Sequence, residues 1–313
     1  MDSAARATCP PGSITIDAAV HVVLSHTQQL DTEERAPFDA LGATLAAPVI
    51  APLPHPPFPA SIKDGYALRS ADGAGDFEVV DACRAGQQSE RALGERQAVY
   101  ITTGAPLPAG ADAVVQLENV TLSGPAEAQR IHVAKAPSAG LEVRPPGFDI
   151  AQGTTLLRAG DVLGAAELGL LGYAGWPRVR VRRAARVAVL STGDELVDPL
   201  GGAMTAAGGQ PAPLPAGCVY DSNRPALLAA VAAAGATPLD LGVAADGAAA
   251  LEEKLAEALA RGADVLLTSG GVSVGDRDLV KPLLARRGAV HFGRAWMKPG
   301  KPLTFATVPR GGS

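Results

Sequence analysis

The sequence predicts a multidomain protein of the α/β plus β class. A C-terminal α/β domain with a mainly parallel sheet follows an N-terminal region carrying an all-β segment. Three observations predict this. From Arg186 onward, runs that read as strands alternate with helical patterns, as a parallel sheet requires. Between residues 77 and 142, short β-rich runs are separated by turn clusters. Finally, the run Asp264-Val265-Leu266-Leu267, read as a buried parallel strand, leads straight into a glycine-rich turn, Thr268 to Asp278.

Bulk properties narrow the function. A chain of 313 residues has room for two or three domains. It is 47% hydrophobic but only 4% aromatic, so its cores must be built from Ala, Val and Leu. The formal net charge of −5 argues against a general nucleic-acid binder, and leaves any anion binding to local lysines. The three cysteines, Cys9, Cys83 and Cys218, are scattered, which suits a reducing compartment and gives no zinc spacing. His21 and His26 read as surface residues of a helix. With no signal peptide and no long apolar run, the expectation is a cytoplasmic protein with no membrane partner.

Taken in order, the first helix starts near Ser13 or Thr15, with Asp17 in its first turn and Ile16, Val20, Val23 and Leu24 as its apolar face. A second short helix is expected at Pro37 to Leu45, then an extended stretch from Ala47 to Pro52. The prolines from Pro52 onward exclude helix until about Ser61, and Asp64-Gly65 reads as a turn before a strand at Tyr66. Locally, Asp64 is best read as a turn carboxylate bonding its own backbone. Strands are expected at Phe77–Val80, Ala98–Ile101, Ala113–Gln116 and Arg130–Val133, with a rigid hydroxyl-bearing loop, Thr102 to Pro108, between two of them. Ala165 to Gly172 reads as a helix and Val179 to Arg183 as a half-exposed strand.

In the α/β part, Val187 to Leu190 and Pro238 to Val243 are strands, and Asp221-Ser222-Asn223 caps a helix reaching about Ala234. Ala249 to Arg261 is a helix with Leu251, Leu255 and Leu259 at spacing four, and a last helix runs from about Asp278 to Arg287. Residues 199–217 read as a flexible insertion. Glu195, Asp246 and the Ser269–Gly275 turn all fall at C-terminal strand ends, where ligands to parallel sheets bind. Gly270, Gly271 and Gly275 let the backbone approach a ligand, Ser269 and Ser273 add hydroxyls, and the following helix N-terminus favours an anion. Lys298 and Lys301, set among Pro299 and Pro302, are held on stiff backbone. Neither a Walker A nor a Rossmann fingerprint is present, so a phosphate-bearing ligand is expected without nucleotide hydrolysis or hydride transfer.

Together, Ser61-Ile-Lys-Asp-Gly-Tyr-Ala67, Ile101-Thr-Thr-Gly-Ala-Pro-Leu-Pro108, Gly147-Phe-Asp-Ile150, Val189-Leu-Ser-Thr-Gly-Asp-Glu-Leu196, Asp221-Ser-Asn223, Ser269-Gly-Gly-Val-Ser-Val-Gly275 and Lys298-Pro-Gly-Lys-Pro302 closely resemble the molybdopterin molybdenumtransferase family, to which the gephyrin E domain is related. The resemblance implies a MoaB/MogA-like α/β domain at 184–313, a discontinuous linker and dimerisation domain at 10–50 and 143–183, and an inserted β domain at 51–142. It implies insertion of molybdate into adenylylated molybdopterin with release of AMP, aided by Mg2+ or another divalent cation. It implies Asp64, Thr103, Asp149, Glu195, Asp246, Asp278, Lys298 and Lys301 as catalytic residues, with Glu195 and Asp246 on the metal. Ser269, Gly270, Gly271, Ser273, Gly275, Arg294, Pro299 and Pro302 would bind substrate. It also implies an elongated homodimer. Lys63 and Arg294 stand where the family has methionine and lysine, and the family pattern continues past Ser313 with a small C-terminal β domain. An adenylyltransferase of the same pathway and a non-catalytic pterin-binding or scaffolding module are the alternatives.

Overall fold

The computed structural model describes residues 9–125, 128–199, 213–270 and 280–310. The chain divides into two compact units, one of residues 34–181 and one joining 1–33 to 182–313. Its first helix, α1 (Ile16–Ser25), belongs to the second of these. No helix of the described residues is long and apolar enough to cross a membrane.

The 34–181 unit is built around a six-stranded sheet of β1 (Gly65–Leu68), β2 (Gly75–Cys83), β3 (Gln97–Ile101), β4 (Ala113–Gln116), β5 (Val120–Ser123) and β6 (Arg130–Val133), in the order β4-β1-β3-β2-β6-β5. All neighbours are antiparallel except β2 and β3. Strands β1, β3 and β4 are apolar at consecutive positions because both of their faces are covered. Tyr66, Leu68, Phe77, Ala98, Ile131 and Val133 pack in one core, and Ala67, Val99, Ile101, Val114 and Cys83 in another. Alternate residues of one strand thus enter different cores. Gly65 is required where β1 lies against β4, since a Cβ there would fall 2.1 Å from the Val115 carbonyl oxygen.

The chain on either side of this sheet makes a separate core of Ala40, Leu45, Val49, Leu157, Leu163, Leu171, Val179 and Val181. Helix α2 (Ala165–Tyr173) supplies Leu171, and its first turn is closed by Glu167, which accepts from the Gly164 N–H at 2.9 Å. Trp176 packs against the same core and donates its indole N–H to the Ile50 carbonyl at 3.1 Å. The helix expected over Pro37–Leu45 does not form; only Phe38–Ala40 makes a 3-10 turn. Gly42 takes φ +75, and the Gly42 and Leu45 N–H groups donate to Leu163 and Asp161 across the core, so tertiary pairing overrides the local pattern.

In the other unit, β7 (Arg186–Thr192) lies between β8 (Thr237–Ala244) and β9 (Val265–Ser269), all parallel. Val187 and Val189 of β7 pack on Val231 of α3 (Asn223–Ala233). Ala188 and Leu190 face the opposite way, into Leu251, Leu255 and Ala258 of α4 (Ala248–Ala260) and Val280 and Leu283 of α5 (Val280–Arg287). Burying each such Val or Leu contributes about 1.5–3 kcal/mol, which is why β7 reads as a continuous apolar run. Three expectations need correction. Strand β9 is half-exposed, with Val265 46% accessible, because among the described residues it pairs only with β7. Leu259 faces outward and Ala258 packs in its place. On α1, capped by Thr15 as expected, Ile16, Val20 and Leu24 are exposed and only Ala19 is buried. The expected insertion at 199–217 lies mostly outside the described residues.

Candidate active site

The C-terminal edge of the parallel sheet is tied together by backbone contacts. The Gly193 N–H donates to the Ala244 carbonyl at 3.2 Å, joining the ends of β7 and β8. The Asp246 N–H donates to Asp194 Oδ1 at 3.0 Å, so the STGDE loop and the loop after β8 form one surface. Gly193 has φ +149, and a Cβ there would lie within 2.9 Å of the Glu195 carboxyl group. The missing side chain is what lets that carboxylate fold back over the strand end. Gly270, at φ +90, begins the glycine turn after β9; a Cβ there would stand 2.4 Å from the Thr192 carbonyl oxygen. Glycine at 270 therefore allows β7 and β9 to meet. Ser269 pairs in register with Ser191, and its carbonyl accepts from the Thr192 hydroxyl at 3.4 Å.

Glu195, Asp246 and Gly270 are thus brought to one edge, as the sequence predicts, and all three are exposed. Gly271, Ser273, Gly275 and Asp278 lie outside the described residues. Lys298, Pro299, Lys301 and Pro302 sit on an exposed loop closed by the Ala295 N–H donating to the Lys301 carbonyl at 3.0 Å. Among the described residues neither lysine forms an ion pair. Arg294 is half-buried and its carbonyl accepts from the Ile14 N–H at 3.0 Å, while the Trp296 N–H donates to the Ile14 carbonyl at 2.7 Å.

In the 34–181 unit the motif carboxylates are already bonded. Asp64 Oδ1 accepts from the Thr103 backbone N–H at 2.6 Å and from its hydroxyl at 2.9 Å. These two donors, the backbone one foremost, hold the Asp64 carboxyl below its ordinary value. The local reading of Asp64 as a turn carboxylate is therefore overturned: its partner is 39 residues away. Asp149 accepts from Arg144 at 3.0 Å, and the Arg144 guanidinium lies over the Phe148 ring. Backbone bonds stitch the motifs themselves together, with Gly104 N–H donating to Ser61 at 2.8 Å and Ile62 N–H to Glu142 at 3.1 Å. Ala60–Ser61 then pairs antiparallel with Val143–Arg144, which leads into the Asp149 loop.

Sequence reasoning missed Arg224. It is 1% exposed and binds Asp221 at 3.2 Å, as well as Asp198 and Asp240. The available signal was its place three residues after the capping Asp221, an i,i+3 pair on α3.

Fold and site define a class: a multidomain protein of one β-rich unit and one unit whose parallel sheet brings Glu195, Asp246 and Gly270 to one edge. Known proteins narrow it. Residues 14–175 match the family described as MoeA N-terminal region (domain I and II), and residues 188–312 match the probable molybdopterin binding domain. The chain is 39% identical to a molybdopterin molybdenumtransferase of Nostoc sp., over 94% of this chain and 66% of that protein. It is 34% identical to the one of Bacillus subtilis, over 94% and 67%, and 34% identical to gephyrin of Dictyostelium discoideum, over 94% and 43%. The chain thus spans about two thirds or less of the length of these relatives. A crystal structure of the molybdopterin biosynthesis protein MoeA from Pyrococcus horikosii superposes with a TM-score of 0.80 at 31% identity, covering 95% of this chain and 73% of that one. The chain belongs to the MoeA family.

Proposed function

We propose that the protein is a molybdopterin molybdenumtransferase, inserting molybdate into adenylylated molybdopterin and releasing AMP. The observation that carries this reading is the tied C-terminal edge of the parallel sheet, where Glu195 and Asp246 stand beside the start of the glycine turn. A pterin phosphate and an oxyanion call for glycine N–H groups and unpaired lysines; Gly270, Lys298 and Lys301 are of those types. Lys298 and Lys301 would offset negative charge on phosphate or molybdate oxygens as the anhydride is cleaved. Asp64, Thr103 and Asp149 enter as site-lining groups carried over from the family.

The donor set fits Mg2+. Glu195 and Asp246 offer hard carboxylate oxygens, and among the described residues no group of three or more His, Cys, Asp or Glu could enclose a metal. Glu195 and Asp246 would hold such an ion, leaving it open to water and substrate oxygens. When bound, magnesium neutralises charge on those oxygens. The same reading takes the protein to be cytoplasmic and a homodimer.

The test is molybdate-dependent release of AMP from adenylylated molybdopterin. Release that ignores molybdate refutes the reading. Pterin binding with no AMP release at any molybdate concentration reassigns the chain as a non-catalytic pterin-binding module. Sedimentation of the purified chain at the mass of one copy removes the dimer.

A further inference from the structure

We infer that Arg224 is a positioning residue that fixes, through Asp198 and Asp221, the backbone carrying Glu195 at the ligand end of the sheet. The role of Glu195 is the one proposed above, and this inference rests on it. A guanidinium only 1% exposed is held by partners, because an unpaired charge there would be too costly. Arg224 has three, from three segments: Nε donates to Asp221 at 3.2 Å, Nη1 to Asp240 and Nη2 to Asp198. Burial opposes its charge, but the hydrogen bonds and charges of Asp240, Asp198 and Asp221 prevail and raise its pKa.

Two of these carboxylates end the arms on which Glu195 depends. Leu196–Val197 pairs in parallel with Val219–Tyr220. The Val219 N–H donates to the Glu195 carbonyl at 2.9 Å, and the Asp221 N–H to the Val197 carbonyl at 3.0 Å. Asp198 closes the outgoing arm and Asp221 the returning one. Asp221 also accepts from the Asn223 and Arg224 N–H groups at 3.1 Å each, starting α3. One rigid fork of donors therefore binds both arms to a helix start, a geometry that a lysine ammonium cannot reproduce. Asp240 differs. It lies on β8, outside both arms, and ties the guanidinium to the sheet. Since the Glu195 carboxyl group folds over Gly193, any drift of the arms moves it away from the strand end.

The contrast between Asp198 and Asp240 gives the test. In the full chain, Asp198→Asn and Asp240→Asn each remove one charge from the same guanidinium, but only Asp198 is on an arm. Asp198→Asn should speed amide exchange at Val219 and Asp221 by about tenfold or more, through local opening. It should also weaken Mn2+, followed by electron paramagnetic resonance with adenylylated molybdopterin present, by about 10- to 100-fold. Asp240→Asn should leave both within about twofold, as should pterin affinity in either variant. Arg224→Lys, which keeps the charge and loses the fork, should match Asp198→Asn; if it does not fold, the aspartate pair decides alone. Equal effects of the two aspartate variants, or unchanged exchange in Asp198→Asn, overturn the inference. Glu195→Gln measured alongside keeps the two readings apart. If it leaves Mn2+ binding intact, the metal role of Glu195 falls, while amide exchange still decides what Arg224 does.

Discussion

The two ends of the three-stranded sheet are built on opposite principles. At the N-terminal end, Asp264 is 8% exposed and takes a two-pronged bond from Arg183, at 2.7 and 2.9 Å, with further donors from the Arg186 N–H at 2.8 Å and from Arg310. At the C-terminal end, the Glu195 and Asp246 side chains are exposed, while backbone bonds together with the Asp194, Asp198 and Asp221 carboxylates organise the loops that carry them. Charge is paired at one end and left exposed at the other. The lesson is that unpaired charge on a rigid frame marks the working end better than the mere presence of carboxylates.

The largest effect should come from breaking the anchored end. Asp264→Ala removes the acceptor shared by Arg183, Arg310 and the Arg186 N–H and should cost about 1.5–3 kcal/mol, read by denaturant unfolding followed by circular dichroism. The bonds from Arg183, first, and then those from Arg186 and Arg310 hold the Asp264 carboxyl far below its ordinary value. Its stabilisation is therefore complete above the unfolded value of about 4 and is lost as pH falls toward the depressed folded value. Asp264→Asn should flatten that acid-side loss. An unchanged acid slope would mean that the anchor lies elsewhere.

Next in size are the groups of the working surface. Lys298→Ala and Lys301→Ala should each slow AMP release by roughly 100-fold, the usual cost of one charge-stabilising donor. Glu195→Ala and Asp246→Ala should slow it by about 10-fold or more at saturating pterin while sparing pterin affinity. Normal turnover in both carboxylate variants would make them ordinary loop residues.

Gly270→Ala tests the frame itself. The left-handed backbone and the 2.4 Å approach to Thr192 predict a loss of about 1–3 kcal/mol, together with weaker pterin binding. A stable variant of normal affinity would sink the phosphate-cradle reading. The smallest effect is a null one: Glu195→Gln and Asp246→Asn should shift stability by less than about 0.5 kcal/mol, since neither carboxylate is buried.

The C-terminal side of this contrast was legible in the sequence, whereas the Asp264–Arg183 anchor was not. Alternating strands and helices place Glu195, Asp246 and Gly270 at one sheet edge, because chain direction alone fixes which end of a parallel strand a loop occupies. What escaped depends on contacts between distant segments. Asp64 and Thr103 meet because β1 pairs with β3 in the register Gly65 to Ile101, which no local pattern encodes. The Pro37–Leu45 stretch has helical residues but is drawn out by bonds to 161–163. Apolar spacing on α1 was visible, yet Ile16, Val20 and Leu24 are exposed, since periodicity identifies a face and not what covers it.

The chain contains two tryptophans, and one falls in each unit. Trp176 is bonded to Ile50 within the core beside the six-stranded sheet, whereas Trp296 is 39% exposed on the loop joined to Ile14. Each unit therefore carries its own intrinsic fluorophore, in a distinct polarity. In Trp176→Phe the emission reports the α/β unit alone, and in Trp296→Phe it reports the other. Whether the units melt as one body or in sequence becomes readable by colour, without any added label.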